Sequence, residues 1–189
     1  LDGPNGITTV VIGANTYALV ASFSDDGVQI IDITTPTTPT PVAAITDGVG
    51  GFTELDGARR ITTAFIDGNT YALVASDVDD GVEIIDITTP SSPTPAAAIT
   101  DEVGGFTVLD QAQDVTTVGT YALVTSFLDD GVQIIDIFAP TTPTPVAAIT
   151  DEVGGFTELD GPNGITTVVI GANTYALVAS FNDGGIEII

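Results

Sequence analysis

The 189-residue chain contains no cysteine, histidine, methionine, tryptophan or lysine, and its only basic residues are the neighbours Arg59 and Arg60. Each absence closes a class of chemistry. Without cysteine there is no disulfide, no thiolate nucleophile and no zinc-thiolate site. Without histidine, cysteine or lysine, Ser-His-Asp, Cys-His and Schiff-base catalysis are unavailable, leaving only carboxylate or metal-carboxylate chemistry. Positive charge is almost missing: 26 Asp and Glu face 2 Arg, for a formal net charge of −24. A chain so acidic repels phosphate backbones and anionic lipid, so no nucleic-acid partner is expected, while cations and a salty or divalent-rich exterior suit it.

Charged residues make up only 15% of the chain and hydrophobic ones 43%, which reads as a packed protein and not an acidic disordered tail. One stretch, Gly3 to Ser24, has no charge at all. Thr8, Thr9, Asn15, Thr16 and a Gly13-Ala14 turn interrupt it, so two strands joined by a turn are expected, and no membrane insertion.

What the chain has in abundance is itself. Leu1 through Phe23 returns letter for letter as Leu159 through Phe181, and related copies begin at Leu55 and Leu109. The copies divide the chain into 1–54, 55–108, 109–158 and a partial 159–189, the third shortened where Val118-Gly119-Thr120-Tyr121 replaces a longer turn. A period of this length marks a propeller, a solenoid or a tandem array. The chain starts at Leu1 and stops part-way through a copy, as expected for a segment of something longer.

Within the first copy four β-prone runs alternate with turn residues: Ile7 to Ile12, Thr16 to Ser22, Val28 to Ile33 and Val42 to Thr46. Asp26-Gly27 between two apolar runs is a hairpin signal, since glycine tolerates positive φ. The loops are too short for crossover helices. The expected fold is all-β: a β-propeller-like repeat of four-stranded antiparallel blades of about 54 residues, three full blades plus a partial fourth. A parallel β-solenoid is disfavoured because hairpins double back.

The run Tyr17-Ala18-Leu19-Val20-Ala21-Ser22, then Asp26-Gly27-Val28-Gln29-Ile30-Ile31-Asp32-Ile33, then Thr-Pro-x-x-Pro resembles the LVIVD-repeat propellers of bacterial and archaeal surface proteins. The match recurs at 71–87 and 121–137 and, truncated, at 175–189, while the segment from Asp47 to Gly57 is an insert relative to that pattern. The resemblance implies a propeller fold and an extracellular, cell-surface location; it implies no activity.

If consecutive strands pair, the second-to-third and fourth-to-first loops share one face, and 20 of the 26 acids fall in those loops. That acidic face suggests calcium, a hard cation that takes carboxylate and carbonyl oxygens. The candidate ligands are Asp25, Asp26, Asp77, Asp79, Asp80, Asp129, Asp130 and Asp183. The alternative is that Asp-Asp-Gly simply makes good turns and the charge keeps the protein soluble; no complete EF-hand or RTX pattern exists. Asp32, Asp86 and Asp136, each ahead of a turn, are expected to cap backbone N–H groups.

The opposite face is rich in Thr and Pro. Ser/Thr beside Pro is the composition of O-glycosylated stalks, with Thr37, Thr38, Thr40, Ser91, Ser92, Thr94, Thr141, Thr142 and Thr144 as candidate acceptors, against a plain rigid connector. The tyrosines Tyr17, Tyr71, Tyr121 and Tyr175 and the phenylalanines Phe52, Phe106 and Phe156 are expected to pack between blades in preference to forming a platform for surface glycans. Because repeated copies supply the same residues everywhere, an enzyme is not expected. The reading is a structural or adhesive repeat module of a surface protein or fibre, self-associating head to tail through the open edge of its incomplete blade, with a glycan- or calcium-binding module as the alternative.

Overall fold

The computed structural model describes all 189 residues, Leu1–Ile189, and contains only strands and turns. Blade 1 is β1 (Pro4–Ile12), β2 (Asn15–Ser22), β3 (Gly27–Asp32) and β4 (Thr40–Thr46). Blade 2 is β5 (Ala58–Ile66), β6 (Asn69–Ser76), β7 (Gly81–Asp86) and β8 (Thr94–Thr100). Blade 3 is β9 (Ala112–Val118), β10 (Tyr121–Ser126), β11 (Gly131–Asp136) and β12 (Thr144–Thr150). Blade 4 has β13 (Pro162–Ile170), β14 (Asn173–Ser180) and the short β15 (Ile186–Ile188). Each blade is an antiparallel meander in sequence order, which excludes a solenoid of parallel coils.

The expected runs lie inside these strands except that β3 ends at Asp32, one residue short of Ile33, and there are two further differences. The fourth strand starts earlier, at Thr40, and takes in Pro41. Proline is tolerated because this is the edge strand, and the ladder shifts register where Ile31 meets Pro41. Asp114, counted above with the loop acids, lies within β9 instead.

The innermost strands pack in succession, β1 on β5, β5 on β9 and β9 on β13, so the blades fan around a common axis. Three apolar clusters hold the fan. One joins blades 1 and 2 through Leu19, Ile30, Leu55, Ile61, Val74 and Ile85. A second joins blades 2 and 3 through Leu73, Ile84, Leu109, Val115, Val124 and Ile135. The third joins blades 3 and 4 through Leu123, Val132, Leu159, Ile165 and Val178. No cluster joins blade 4 to blade 1, so the fan is an open arc.

Blade 2 stands between two neighbouring blades, and its second strand is accordingly apolar on both faces, with residues 70–76 buried without a break. Tyr17 and Tyr71 are buried, and Phe52 and Phe106 belong to the clusters, as expected of inter-blade packing. Phe156 packs at the edge of the third cluster. Tyr121 is 43% exposed, so this position is not a core residue in every copy.

Candidate functional site

The Leu-Asp-Gly segment that opens a repeat (Leu-Asp-Gln in the third) presents three successive N–H groups, and in the second to fourth repeats the acidic loops satisfy all three. Leu55 N–H donates to Asp47 Oδ1 at 3.2 Å, Asp56 N–H to Asp79 Oδ2 at 2.7 Å, and Gly57 N–H to Asp26 Oδ1 at 3.2 Å. The pattern recurs between blades 2 and 3, where Leu109, Asp110 and Gln111 donate to Asp101, Asp129 and Asp80. It recurs again between blades 3 and 4, where Leu159, Asp160 and Gly161 donate to Asp151, Asp183 and Asp130. In blade 1 only Asp2 N–H to Asp25 is present.

The two aspartates of each Asp-Asp-Gly turn therefore have separate duties. The first (Asp25, Asp79, Asp129, and Asp183 of the Asp-Gly-Gly turn in blade 4) fastens the turn to its own blade's entry segment. The second (Asp26, Asp80, Asp130) sits at φ between 49° and 55° and reaches the next blade. Charged acceptors on backbone N–H groups are among the stronger hydrogen bonds, and here they clasp one blade to the next. Gly57 (φ +69°) lets the entry segment pass close to Val78, where an added Cβ would stand 2.7 Å from a methyl.

These are the residues expected to ligate calcium, and the structure uses them as clasps. Asp77, the third acid of the calcium-like loop, turns elsewhere: it pairs with Arg59 at 3.7 Å and accepts from Gln113. No group of three or more Asp or Glu side chains is arranged to hold a metal ion. Arg60 bonds the Asn5 carbonyl of blade 1 and its side-chain oxygen.

Asp32, Asp86 and Asp136 do cap their turns, each accepting from the N–H two residues on at 2.8 Å. On that face Thr37, Thr38, Thr40, Ser91, Ser92, Thr94, Thr141, Thr142 and Thr144 are all exposed, with β-turn bonds from Thr38 to Thr35, Ser92 to Thr89 and Thr142 to Ala139.

Two residues outside the candidate list carry the most perturbed chemistry. Glu83, in the middle of β7, is fully buried, and Glu54, in the entry segment, is 7% exposed. Glu83 Oε2 accepts the N–H groups of Thr53 and Glu54, both at 3.1 Å. Glu54 accepts from Thr100 Oγ1 on β8. Glu54 Oε2 and Glu83 Oε1 have no partner. Burial, reinforced by Asp47, Asp79 and, for Glu54, by Glu83 itself, pushes both carboxyls up to about 7. The available signal was an acid at the strand position where two sister copies carry Gln29 and Gln133.

Burial also raises Asp56, Asp79, Asp101, Asp110 and Asp130, with neighbouring aspartates adding to it. All these groups bind protons more tightly in the folded chain than in the unfolded one. Their stabilisation is complete below the unfolded values and is lost as pH rises through the folded ones, about 4.5 to about 7 for the two glutamates.

Two outcomes follow. Removing one clasp by Asp80→Ala loses the bond to Gln111 and a residue tolerant of positive φ, so urea unfolding should show a loss of about 1–3 kcal/mol. Asp80→Asn should retain most of that stability, and equal behaviour of the two variants would refute the clasp. Secondly, the melting temperature should fall between about pH 5 and about pH 8, by the equivalent of a few kcal/mol, and added salt should recover part of the loss at the upper end. A melting temperature that rises over this range contradicts the assignment.

Against known proteins, the LVIVD repeat profile matches residues 9–47, 65–101 and 111–151. No curated protein sequence matches the chain. Among solved structures, a Bacteroides uniformis protein provisionally assigned as a 6-phosphogluconolactonase superposes with TM-score 0.68 at 16% identity, covering 98% of this chain and 49% of its own. The C-terminal domain of Pseudomonas aeruginosa PilY1 gives 0.65 at 12% identity, with 95% and 43% covered. The computationally designed Ika4 protein gives 0.58 at 10%, with 100% and 91% covered. The chain thus spans about half the length of the first of these natural propeller-like structures, and at such identities the likeness is one of fold. With three matched copies, bladed sheets and the Asp-Asp-Gly turns in place, the chain belongs to the LVIVD repeat family.

Proposed function

We propose that this chain is a non-catalytic structural module of an extracellular surface protein or fibre, and that it associates through the two ends of its arc. The observation that carries this reading is the exposure of faces that inner blades bury. On blade 4, Ile170, Ile186 and Ile188 are 62%, 63% and 59% exposed, while their blade 2 counterparts Ile66, Val82 and Ile84 are 6%, 0% and 1%. At the other end Ile7 is 69% exposed against 7% for Ile61.

Because the first and last copies share one sequence, each exposed face matches the kind of surface its counterpart packs on inside the arc. Stacking of blade 4 on blade 1 of a second chain would repeat an interface the molecule already makes three times. It would also remove apolar patches that a soluble monomer rarely tolerates.

A non-catalytic role is supported by the engagement of the loop aspartates with backbone N–H groups and by the sameness of their environments, where carboxylate catalysis needs unlike ones. The location rests on the acidic surface, the Thr-Pro turns and the family resemblance. O-glycans on the nine exposed Ser and Thr positions named above belong to the same reading.

Light scattering coupled to size exclusion, with negative-stain microscopy, should show oligomers or filaments, and Ile170→Lys should return them towards monomer. Discrete monomers of the parent chain at every concentration would refute association. Intact-mass measurement of material from its native source should exceed the bare chain's mass in hexose-sized steps; a bare mass removes the glycan component.

A further inference from the structure

The four copies of one position in the third strand, residues 29, 83, 133 and 187, show how a blade holds its outer strand. In blade 1 the Gln29 amide donates to the Ala43 carbonyl of β4 at 2.7 Å. In blade 3 the Gln133 amide donates to the Ala147 carbonyl of β12 at 2.9 Å, while its Oε1 accepts from Thr107 N–H at 3.1 Å. The amide thus bridges the entry segment and the outer strand. Gln133 is 1% exposed, and both its ends are satisfied.

In blade 2 the same place holds Glu83. Its Oε2 does what Gln133 Oε1 does, accepting from the entry segment. Its Oε1 takes the place of the amide nitrogen, and by register the facing acceptor is the Ala97 carbonyl of β8. A carboxylate oxygen cannot donate to that carbonyl, and Oε1 is accordingly left without a partner in a fully buried site. A neutral carboxylic acid resolves the conflict: its O–H donates where the glutamine N–H donates, and its other oxygen goes on accepting. The groups facing Glu83 are Glu54, Asp47 and Asp79, all acids, and no cation offsets them.

Blade 4 repeats the arrangement without the outer strand. Glu187 Oε2 accepts the N–H groups of Thr157 at 3.0 Å and Glu158 at 3.2 Å, as Glu83 accepts those of Thr53 and Glu54. The surrounding acids are the same by repeat: Glu158, Asp151 and Asp183 stand for Glu54, Asp47 and Asp79. Blade 3, which has Gln133, also has Val108 in place of the entry glutamate, so the two acids come and go together.

We propose that this position is a proton-held latch on the outer strand: Glu83 fastens β8 as a neutral acid, and capture of an outer strand along the open edge of β15 takes up one proton at Glu187. The occupant is an extended segment of the chemistry of β4 and β12, Thr-Pro-Val-Ala-Ala-Ile-Thr, which supplies the carbonyl that the acid needs and carries no charge of its own. Burial of two facing carboxyls pushed up to about 7 in blade 2 is in keeping with the proton resting there. The second half concerns the free edge of β15, where blade 4 stops at three strands, and is a contact separate from the face-to-face stacking proposed above.

The probe for capture is a synthetic peptide with the sequence of residues 142–150 and blocked ends, titrated into the intact chain at about pH 5 and about pH 8. Affinity should weaken towards the higher pH, approaching tenfold per unit where the free and bound glutamate differ in protonation. Glu187→Gln should bind equally at both values and more tightly than the parent at the upper one. Peptide binding with a pH dependence that Glu187→Gln leaves unchanged overturns the proton coupling and spares strand capture. No binding by either chain at any pH overturns both.

The latch in blade 2 has its own readout. Infrared spectra of the intact chain at about pH 6 should contain the carbonyl stretch of a neutral carboxylic acid, lost in part in Glu83→Gln. That variant should fold, since two sister blades carry glutamine there, and its melting temperature should fall less between about pH 5 and about pH 8. Absence of the acid band, or a pH profile identical to the parent's, refutes the latch.

Discussion

A single blade of this protein cannot keep its own faces dry. Its second and third strands are apolar on both sides, so each sheet becomes a stable object only when another lies against it. The three clusters that join the blades consist of Leu, Ile, Val, Ala and aromatic side chains contributed by both neighbours, with Leu55, Leu73, Ile84, Leu109, Ile135 and Leu159 essentially inaccessible. Burial at roughly 25 cal/mol per Å² makes this stacking the dominant favourable contribution, and it is collective, since removing one blade strips a face from the next. The arc, the exposed ends and the charge pattern on its rim all follow from it.

Stacking fixes that blades touch and leaves their azimuth to more directional forces. That is the place of the aspartates. Each joint has three successive N–H groups capped by three carboxylates from two blades, so a slip between sheets would leave donors unpaired. The same device crowds negative charge. At one joint burial, with the charges of Asp26 and Asp47 nearby, raises the proton affinity of Asp56 and Asp79, and the same crowding raises Asp110 and Asp130 at the next two joints. The protein therefore draws its inter-blade geometry from groups whose mutual repulsion weakens it at higher pH and low salt.

Much of this was legible beforehand because the repeat states it several times. Alternating β-prone runs and Asp-Gly turns gave four strands per copy, and the meander order confirms them. The capping role of Asp32, Asp86 and Asp136 could be read from the following turn, because the bond spans two residues. The clasp was not legible. Asp26 and Gly57 are 31 residues apart, and nothing local indicates that the second Asp of a turn faces forward to the next copy. A loop of acids reads as a cation site when only its composition is visible. Glu54 and Glu83 were not legible for a related reason: among 26 acids, these two excite no suspicion until their burial is known.

The covalent order of residues determined, by itself, the repeat period, the all-β character, the hairpin turns and the exclusion of histidine, thiol and lysine chemistry. These are properties of short segments, set by side-chain alternation, by positive-φ turn residues and by simple absence. Only the tertiary structure decided which carboxylates point at backbone donors and which are sealed from water. It also decided that the arc stays open between blades 4 and 1, because those outcomes depend on how sheets distant in sequence lean on one another. A carboxylate's chemistry is set by its dielectric surroundings and its partners, and for Glu83 these come from β8 and from the end of the preceding copy, Thr53 and Glu54, elements brought to it by folding.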